Sequence, residues 1–342
     1  MAFGKVLHVV GIHVGGEVCD VVVGGVIDVP GDTMYDKMMH LWKNQDELRQ
    51  PLMNEPRGCS AMCHNLILPP CNKDADAGLI IMEHEEYPPM SGANTIAAAT
   101  VLLETGIIKM KSPITQLKLD TPAGLITVEA ECTEGKCNSV SFDNVPSFVF
   151  ELDKEVIVPD IGTVKVDIAW GGMIYALVDA SSVGLKIKSK NGAQLVKIGE
   201  AVKLAVQEQT DPIHPENPRI RGVSVLEFTD PLTEDADGKS AVNAVVVSPG
   251  RLDRSPCGTG TCARLAVLHA RGILKVGDSF RHHSIINTEF IGSIRETTTV
   301  GEYAAVLSTV KGSAWITSFK QAVLHPTDPF PGGFRVGDVW QM

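Results

Sequence analysis

One cysteine stands where a turn gives way to an apolar helical run, in Arg254–Gly272, RSPCGTGTCARLAVLHARG. Cys257 is followed by Gly258, Thr259, Gly260 and Thr261, small residues that let backbone approach a ligand closely. The first turn of a helix leaves N–H groups unpaired and carries the positive end of the macrodipole, which suits a carboxylate. The same field is expected to depress the thiol from about 8.5 toward neutrality. A thiolate beside a carboxylate pocket is placed to take the proton from the carbon next to that carboxylate. Packing, redox chemistry, phosphate binding and acid/base catalysis all remain open for this thiol from its own residues. The run Gly258–Ala263 also fits the dinucleotide fingerprint G-x-G-x-x-A, which needs its first glycine at the end of a strand. Here the turn PGRLDRSP separates the glycines from the strand ending near Ser248, which argues against nucleotide binding. Asp253, four residues before the cysteine, either caps this turn or offers its carboxylate to a substrate ammonium.

Two other sets of residues have metal-ligand chemistry. Cys59, Cys63, His64 and Cys71 lie close together in RGCSAMCHNLILPPC, but zinc sites pair such a cluster with a second, distant one, and none is identified. Buried or incidental thiols are the expected reading, and no metal is expected. His13 and His64 are read as turn or core histidines, with lining of a cleft as the alternative.

The positioning elements follow from an internal match at a shift of 166 residues. Aligned, SGANTIAAATVLLETGIIK (91–109) and CGTGTCARLAVLHARGILK (257–275) are identical at eight of nineteen positions, all in register. One long offset points to a duplicated domain, because solenoid repeats recur every 20–50 residues. In each half, small polar residues precede an apolar helix carrying alanines, a pattern that suits a helix enclosed by strands. Ser91 and Cys257 then hold equivalent places just ahead of a buried helix.

Around these the patterning predicts strands at Val6–Val10 and Val18–Val29, a helix over Thr33–Arg49 capped by Asp32 or Thr33, and strands at Ala61–Leu68 and Gly78–Met82. A helix at Asn94–Glu104 stops at Gly106, and Leu117–Val178 reads mostly as strands. Further helices are expected at Ala193–Gln209 and Thr261–Arg271, with strands at Gly222–Phe228, Ala241–Ser248 and from Ser284 to Phe319.

The chain has 342 residues, 44% of them hydrophobic and 5% aromatic, with 32 glycines and a formal net charge of −11. Its length implies two domains, and its acidity argues against nucleic acid or an anionic membrane as partner. No run approaches the roughly 18 apolar residues of a membrane span, and MAFGKVLHVVGIHVGGE lacks the apolar core of a signal peptide. A cytoplasmic protein acting on a small molecule is expected, its eight cysteines remaining thiols.

With these residues assembled, DRSPCGTGT (253–261) closely resembles the second catalytic motif of the proline racemase family, and PMSGANTIAA (89–98) resembles its first. IHVGGE (12–17), EPRG (55–58), VDIAWGG (166–172), GSAWIT (312–317) and DPFPGGF (328–334) also look like the family, so the resemblance covers nearly the whole chain. It implies the diaminopimelate-epimerase-like α/β fold, with two similar halves each wrapping strands round a central helix. The halves are expected at 1–150 plus 316–342 and at 151–315, with the active site in the cleft between them. The resemblance further implies proline or hydroxyproline as substrate, neither pyridoxal phosphate nor metal, and a homodimer. Carried over by position, Cys257 is one catalytic acid/base, Ser91 stands where the racemases carry a second cysteine, and Asp253 contacts the substrate amine. Gly92, Ala93, Asn94, Gly258 and Thr259 complete the expected substrate-binding set, most of them through backbone N–H groups to the carboxylate.

The chain departs from the racemase pattern at Ser91 and Ala93, where the racemases read Cys and His. Two-base racemisation needs an acid and a base on opposite faces, and a serine hydroxyl is a far poorer proton carrier than a thiol. Serine at this position is similar to the branch that dehydrates trans-3-hydroxy-L-proline to Δ1-pyrroline-2-carboxylate. In that isomer the 3-hydroxyl lies on the same ring face as the α-hydrogen, so one acid/base suffices. Dehydration by Cys257 with Ser91 assisting is therefore the expected activity. A 4-hydroxyproline 2-epimerase, a bifunctional enzyme, or an inactive hydroxyproline-binding protein are the alternatives.

Overall fold

The computed structural model describes residues 4–248 and 250–337, and its chain divides into two compact units, 1–142 with 312–342, and 143–311. Pro249, which opens the turn ahead of Cys257, lies outside the described residues. The first unit gives way to the second at Phe142 rather than at 150, because the strand starting at Ser147 pairs with Gly162–Trp170 of the second unit.

Unit 1 contains β1 (Lys5–Val14), β2 (Glu17–Gly24), α1 (Met34–Asn44), α2 (Gln50–Met53), β3 (Met62–Leu68), β4 (Ala77–Met82), α3 (Gly92–Glu104), β5 (Ile114–Thr121), β6 (Gly124–Thr133), β7 (Lys136–Asp143) and the final strand β18 (Ala314–Leu324). Unit 2 contains β8 (Ser147–Val158), β9 (Gly162–Trp170), β10 (Ile174–Asp179), α4 (Gly192–Gln209), β11 (Val225–Thr229), β12 (Thr233–Asp235), β13 (Gly238–Val247), β14 (Arg251–Leu252), α5 (Gly258–Ala270), β15 (Ser279–His283), β16 (Glu289–Val300) and β17 (Tyr303–Gly312).

The duplication read from the sequence extends to topology. In unit 1, β1 and β2 form a hairpin, β2 pairs parallel with β3, β3 antiparallel with β4, and β4 parallel with β5. In unit 2, β9 and β10 form the equivalent hairpin, β10 pairs parallel with β11, β11 antiparallel with β13, and β13 parallel with β15. Parallel neighbours need a crossover, and helices supply it at both places in both units: α1 and α3 in the first, α4 and α5 in the second. The outer strand beside the hairpin differs in origin: β18, the last strand in sequence, lies on β1, whereas β8, the strand immediately before β9, lies on β9.

The central helices are enclosed as their alanines suggested. Every residue from Gly92 to Leu103 of α3 is buried, and α5 is buried from Gly258 to Leu268 except at Arg264. Neighbours of α3 are β1, β2, β3, β6 and β18; those of α5 are β8, β9, β10 and β16. The helix predicted over Thr33–Arg49 ends at Asn44, and a short 3-10 turn at Asp46–Leu48 follows. Thr33 is its cap, accepting from the Asp36 N–H.

Strand alternation decides what faces α5. On β10, Ala176 and Val178 pack with α4, while Tyr175 and Leu177 pack toward α5; on β11, Leu226 and Phe228 go to the first side and Val225 to the second. The period of two therefore carries Glu227 of β11 and Asn243 of β13 to the α5 side. Among the described residues no helix is long and apolar enough to cross a membrane.

Candidate active site

Ser91 and Cys257 are the N-cap residues of α3 and α5, and neither side chain caps its own helix. Both are therefore available to chemistry at a helix start whose N–H groups point outward. Their backbones differ: Ser91 is extended, with φ −151°, whereas Cys257 has φ 63°, in the left-handed region. A residue with a Cβ pays about 1–2 kcal/mol there. The surroundings hold it: the Cys257 N–H donates to Ser255 Oγ at 3.0 Å, and its carbonyl accepts from the Thr261 N–H at 2.9 Å and hydroxyl at 2.7 Å.

The thiol of Cys257 lies 3.2 Å from the hydroxyl of Tyr175, which is itself 2.7 Å from Thr259 Oγ1. By surface area Cys257 is only half-buried, but protein packs densely around its sulfur. The expected depression of the thiol is overturned. Burial pushes it up, the Asp253 charge adds to this, and the Tyr175 hydroxyl and Gly260 N–H only partly offset them. Tyr175 is fully buried and its phenol is also pushed up, so it stays protonated and can donate to the thiolate. Removing that donor leaves a less stable thiolate. Tyr175→Phe is expected to lower kcat on the order of 10–100-fold with little change in KM, the value of one hydrogen bond to a charged group. Unchanged kcat would show that the Tyr175–Cys257 contact carries no catalytic weight.

Close approach at the helix start depends on Gly171, in the β9–β10 turn. A Cβ there would lie 2.2 Å from the Thr259 carbonyl oxygen and 2.5 Å from the Ala263 nitrogen, both backbone atoms of α5. The Asn144 amide donates to the Gly171 carbonyl at 2.7 Å and fixes the turn.

At the start of α3, Gly92, Ala93 and Asn94 are buried together. Asn94 uses its side chain inward: its amide nitrogen donates to Ser91 Oγ at 3.0 Å and to Glu83 Oε1 at 3.4 Å, and its oxygen accepts from Asn65 at 2.9 Å. Asn94 thus orients the Ser91 hydroxyl, a task distinct from the substrate contact expected of it. Arg49 steadies the segment before it by donating to the carbonyls of Glu83 and His84, at 3.0 and 2.5 Å.

Asp253 accepts from the Ser255 N–H at 2.7 Å, so the turn-capping reading holds at one of its oxygens. Gly258 and Thr259 form the first turn of α5, beside Cys257 and Asp253. His64 is a core histidine on β3, buried and pushed down to about 4 by burial, hence neutral. His13 stacks on Trp315, ring centroids 5.3 Å apart, and accepts from the Gly16 N–H. All eight cysteines are free, and among the described residues no three His, Cys, Asp or Glu gather as a metal site.

Tyr175 was missed in the sequence, although a signal existed: a tyrosine buried in an apolar strand needs a partner for its hydroxyl. Glu227, in VLEFT, carried the same kind of signal.

Residues 9–335 match the proline racemase family. A hydroxyproline epimerase from Agrobacterium vitis, solved with bound trans-4-hydroxy-L-proline, is 40% identical over 99% of this chain and 98% of its own, with a TM-score of 0.90. A probable proline racemase from Agrobacterium radiobacter, solved with bound carbonate, is 41% identical over 98% of both chains, with a TM-score of 0.89. A PhzF-family phenazine biosynthesis protein from Bacillus anthracis shares the fold alone, at 10% identity over 93% of this chain and 99% of its own and a TM-score of 0.59.

Proposed function

Because the chain belongs to the proline racemase family and is thus an enzyme of the racemase and epimerase type, we propose that it dehydrates trans-3-hydroxy-L-proline to Δ1-pyrroline-2-carboxylate. The observation that carries this reading is the unequal pair of N-cap residues, a thiol at α5 and a hydroxyl at α3. The N–H groups of Gly92, Ala93, Gly258 and Thr259 receive the carboxylate, and Asp253 pairs with the ring ammonium.

The Cys257 thiolate takes the α-proton, and the electron pair left on the α-carbon forms the double bond to ring carbon 3. The carbon–oxygen bond breaks on the same ring face, and the Cys257 thiol returns its proton to the departing hydroxyl, which leaves as water. The enamine then tautomerises to the cyclic imine. The thiolate is regenerated, so neither a second thiol nor a cofactor is consumed. The Tyr175 hydroxyl stabilises the thiolate at the start and end of the cycle, and Ser91, whose hydroxyl Asn94 orients, assists by hydrogen bonding.

The test is to incubate the purified protein with trans-3-hydroxy-L-proline and o-aminobenzaldehyde. A trapped imine supports dehydration; its absence overturns it. The bound trans-4-hydroxy-L-proline of the Agrobacterium vitis epimerase favours a second reading, 4-hydroxyproline 2-epimerisation by itself or beside dehydration, with Ser91 relaying the second proton. That reading predicts a change of optical rotation and α-deuteration of 4-hydroxyproline in heavy water, with no imine.

A further inference from the structure

The alternation that turns Tyr175 toward α5 carries three further polar side chains there: Glu227 of β11, Asn243 of β13 and His282 of β15, each with 0% exposure. A carboxyl buried to that degree is costly unless it is neutral or paired. Neither Glu227 oxygen has an ordinary hydrogen-bond partner, and His282 Nε2, also without one, lies 3.5 Å from Oε1. The other oxygen presses on α5 at Gly260, where a Cβ would lie 2.4 Å from Glu227 Oε2, and 3.3 and 3.4 Å from the Cβ and sulfur of Cys257. Glu227 and the thiol thus flank the same glycine.

The protons in this cluster can be assigned from its contacts. The Thr261 hydroxyl donates to the Cys257 carbonyl at 2.7 Å, so its oxygen accepts from His282 Nδ1 at 3.0 Å; the Asn243 amide nitrogen is the longer neighbour of that ring nitrogen, at 3.4 Å, and spends its short hydrogen bond on the Pro256 carbonyl. Burial holds the imidazole neutral, so with Nδ1 protonated the lone pair of Nε2 faces Glu227. Only a proton on the Glu227 carboxyl completes that contact. Asn243 donates to the Pro256 carbonyl at 2.7 Å and fixes the segment just ahead of the cysteine.

We propose that Glu227, His282 and Thr261 form an uncharged relay that positions Cys257: the Glu227 carboxylic acid donates to His282, His282 to Thr261, and Thr261 to the Cys257 carbonyl. The relay holds the left-handed backbone of Cys257 and keeps a neutral acid, not a carboxylate, behind its sulfur. The proposal rests on Cys257 being the acid/base.

Burial, the largest effect, pushes the Glu227 carboxyl up to about 8 with Asp253 adding to it; Arg264 on α5 and the Asn243 amide favour the ionised form and offset this only in part. Cys257 and Tyr175 sit in its field, and a charge on Glu227 raises both. Below about 8 Glu227 is therefore uncharged and does not oppose the thiolate; above it, the new negative charge does.

Glu227→Gln keeps the size and removes the titration. The measurement is the rate at which iodoacetamide alkylates Cys257 as a function of pH, read site by site by peptide mass spectrometry. The rates of variant and wild type are expected to agree within about 2-fold at about pH 6.5, and the variant to exceed wild type by about 5-fold or more at about pH 9.5. A ratio that stays constant with pH overturns the relay, because a merely structural glutamate leaves no such signature. If Glu227→Gln does not fold, the wild-type protein decides: the relay predicts that the rise of alkylation with pH becomes shallower as Glu227 ionises, and an unbroken rise contradicts it. Alkylation requires no turnover, so a failure of the dehydration reading and a failure of the relay are separate results.

Discussion

Cys257→Ala is expected to abolish most dehydration of trans-3-hydroxy-L-proline, lowering kcat by roughly 10²–10⁴-fold, the usual worth of a positioned acid/base. Here the loss belongs at the upper end, because the same sulfur both takes the α-proton and returns it to the leaving hydroxyl. KM should change little, since the proposed carboxylate and amine contacts, backbone N–H groups and Asp253, do not involve the thiol. The fold should survive: alanine inherits the left-handed φ of 63° that the cysteine already adopts, and the carbonyl contacts to Thr261 do not involve the side chain. Circular dichroism and substrate kinetics on the same preparation check this. Retained activity in a folded Cys257→Ala protein would move the acid/base to another residue.

Ser91→Cys is expected to do the opposite at the other helix. Thiols at both N-caps supply the acid and the base that epimerisation of 4-hydroxyproline needs, so on the proposed role of Ser91 that activity should rise by about an order of magnitude or more. Dehydration should persist within about 10-fold, because the Cys257 cycle does not need the Ser91 proton. The side chain fits the site: Asn94 donates to Ser91 Oγ at 3.0 Å, and a thiolate accepts from the same amide. Optical rotation and α-deuteration in heavy water report the gain. If epimerisation does not rise, Ser91 does not address the substrate as proposed.

Much of this was legible in the sequence, for physical reasons. The match of 91–109 with 257–275 holds because both segments must fill the same enclosed space. The alanines and glycines that satisfy this constraint are also the identities that reveal it, and the two β-α-β crossovers repeat with them. The N-cap positions of Ser91 and Cys257 followed from small polar residues placed before an apolar run.

Three features were not legible. The thiol was expected to be acidic because a helix start was considered without the strands behind it. In the structure the burial of Cys257 and the nearby Asp253 outweigh the local field. Tyr175 lies 82 residues from Cys257 in sequence and meets it only because β10 runs beside α5. The engagement of the Asn94 side-chain amide by Asn65 of β3, by Ser91 and by Glu83 just after β4 was not readable from its motif. What sequence patterning withheld was the second layer of polar residues, Glu227 of β11, Asn243 of β13 and His282 of β15, each fully buried on the face of its strand toward α5.

The central claim is that one thiol performs a same-face elimination. Its most direct test compares imine formation from trans-3- and cis-3-hydroxy-L-proline in heavy water, followed by proton NMR. Only the trans isomer places the hydroxyl on the face of its α-hydrogen. The account predicts imine from the trans isomer and none from the cis, with no epimer accumulating first. Imine from both isomers at similar rates, or accumulation of the C2 epimer before any imine, would contradict it.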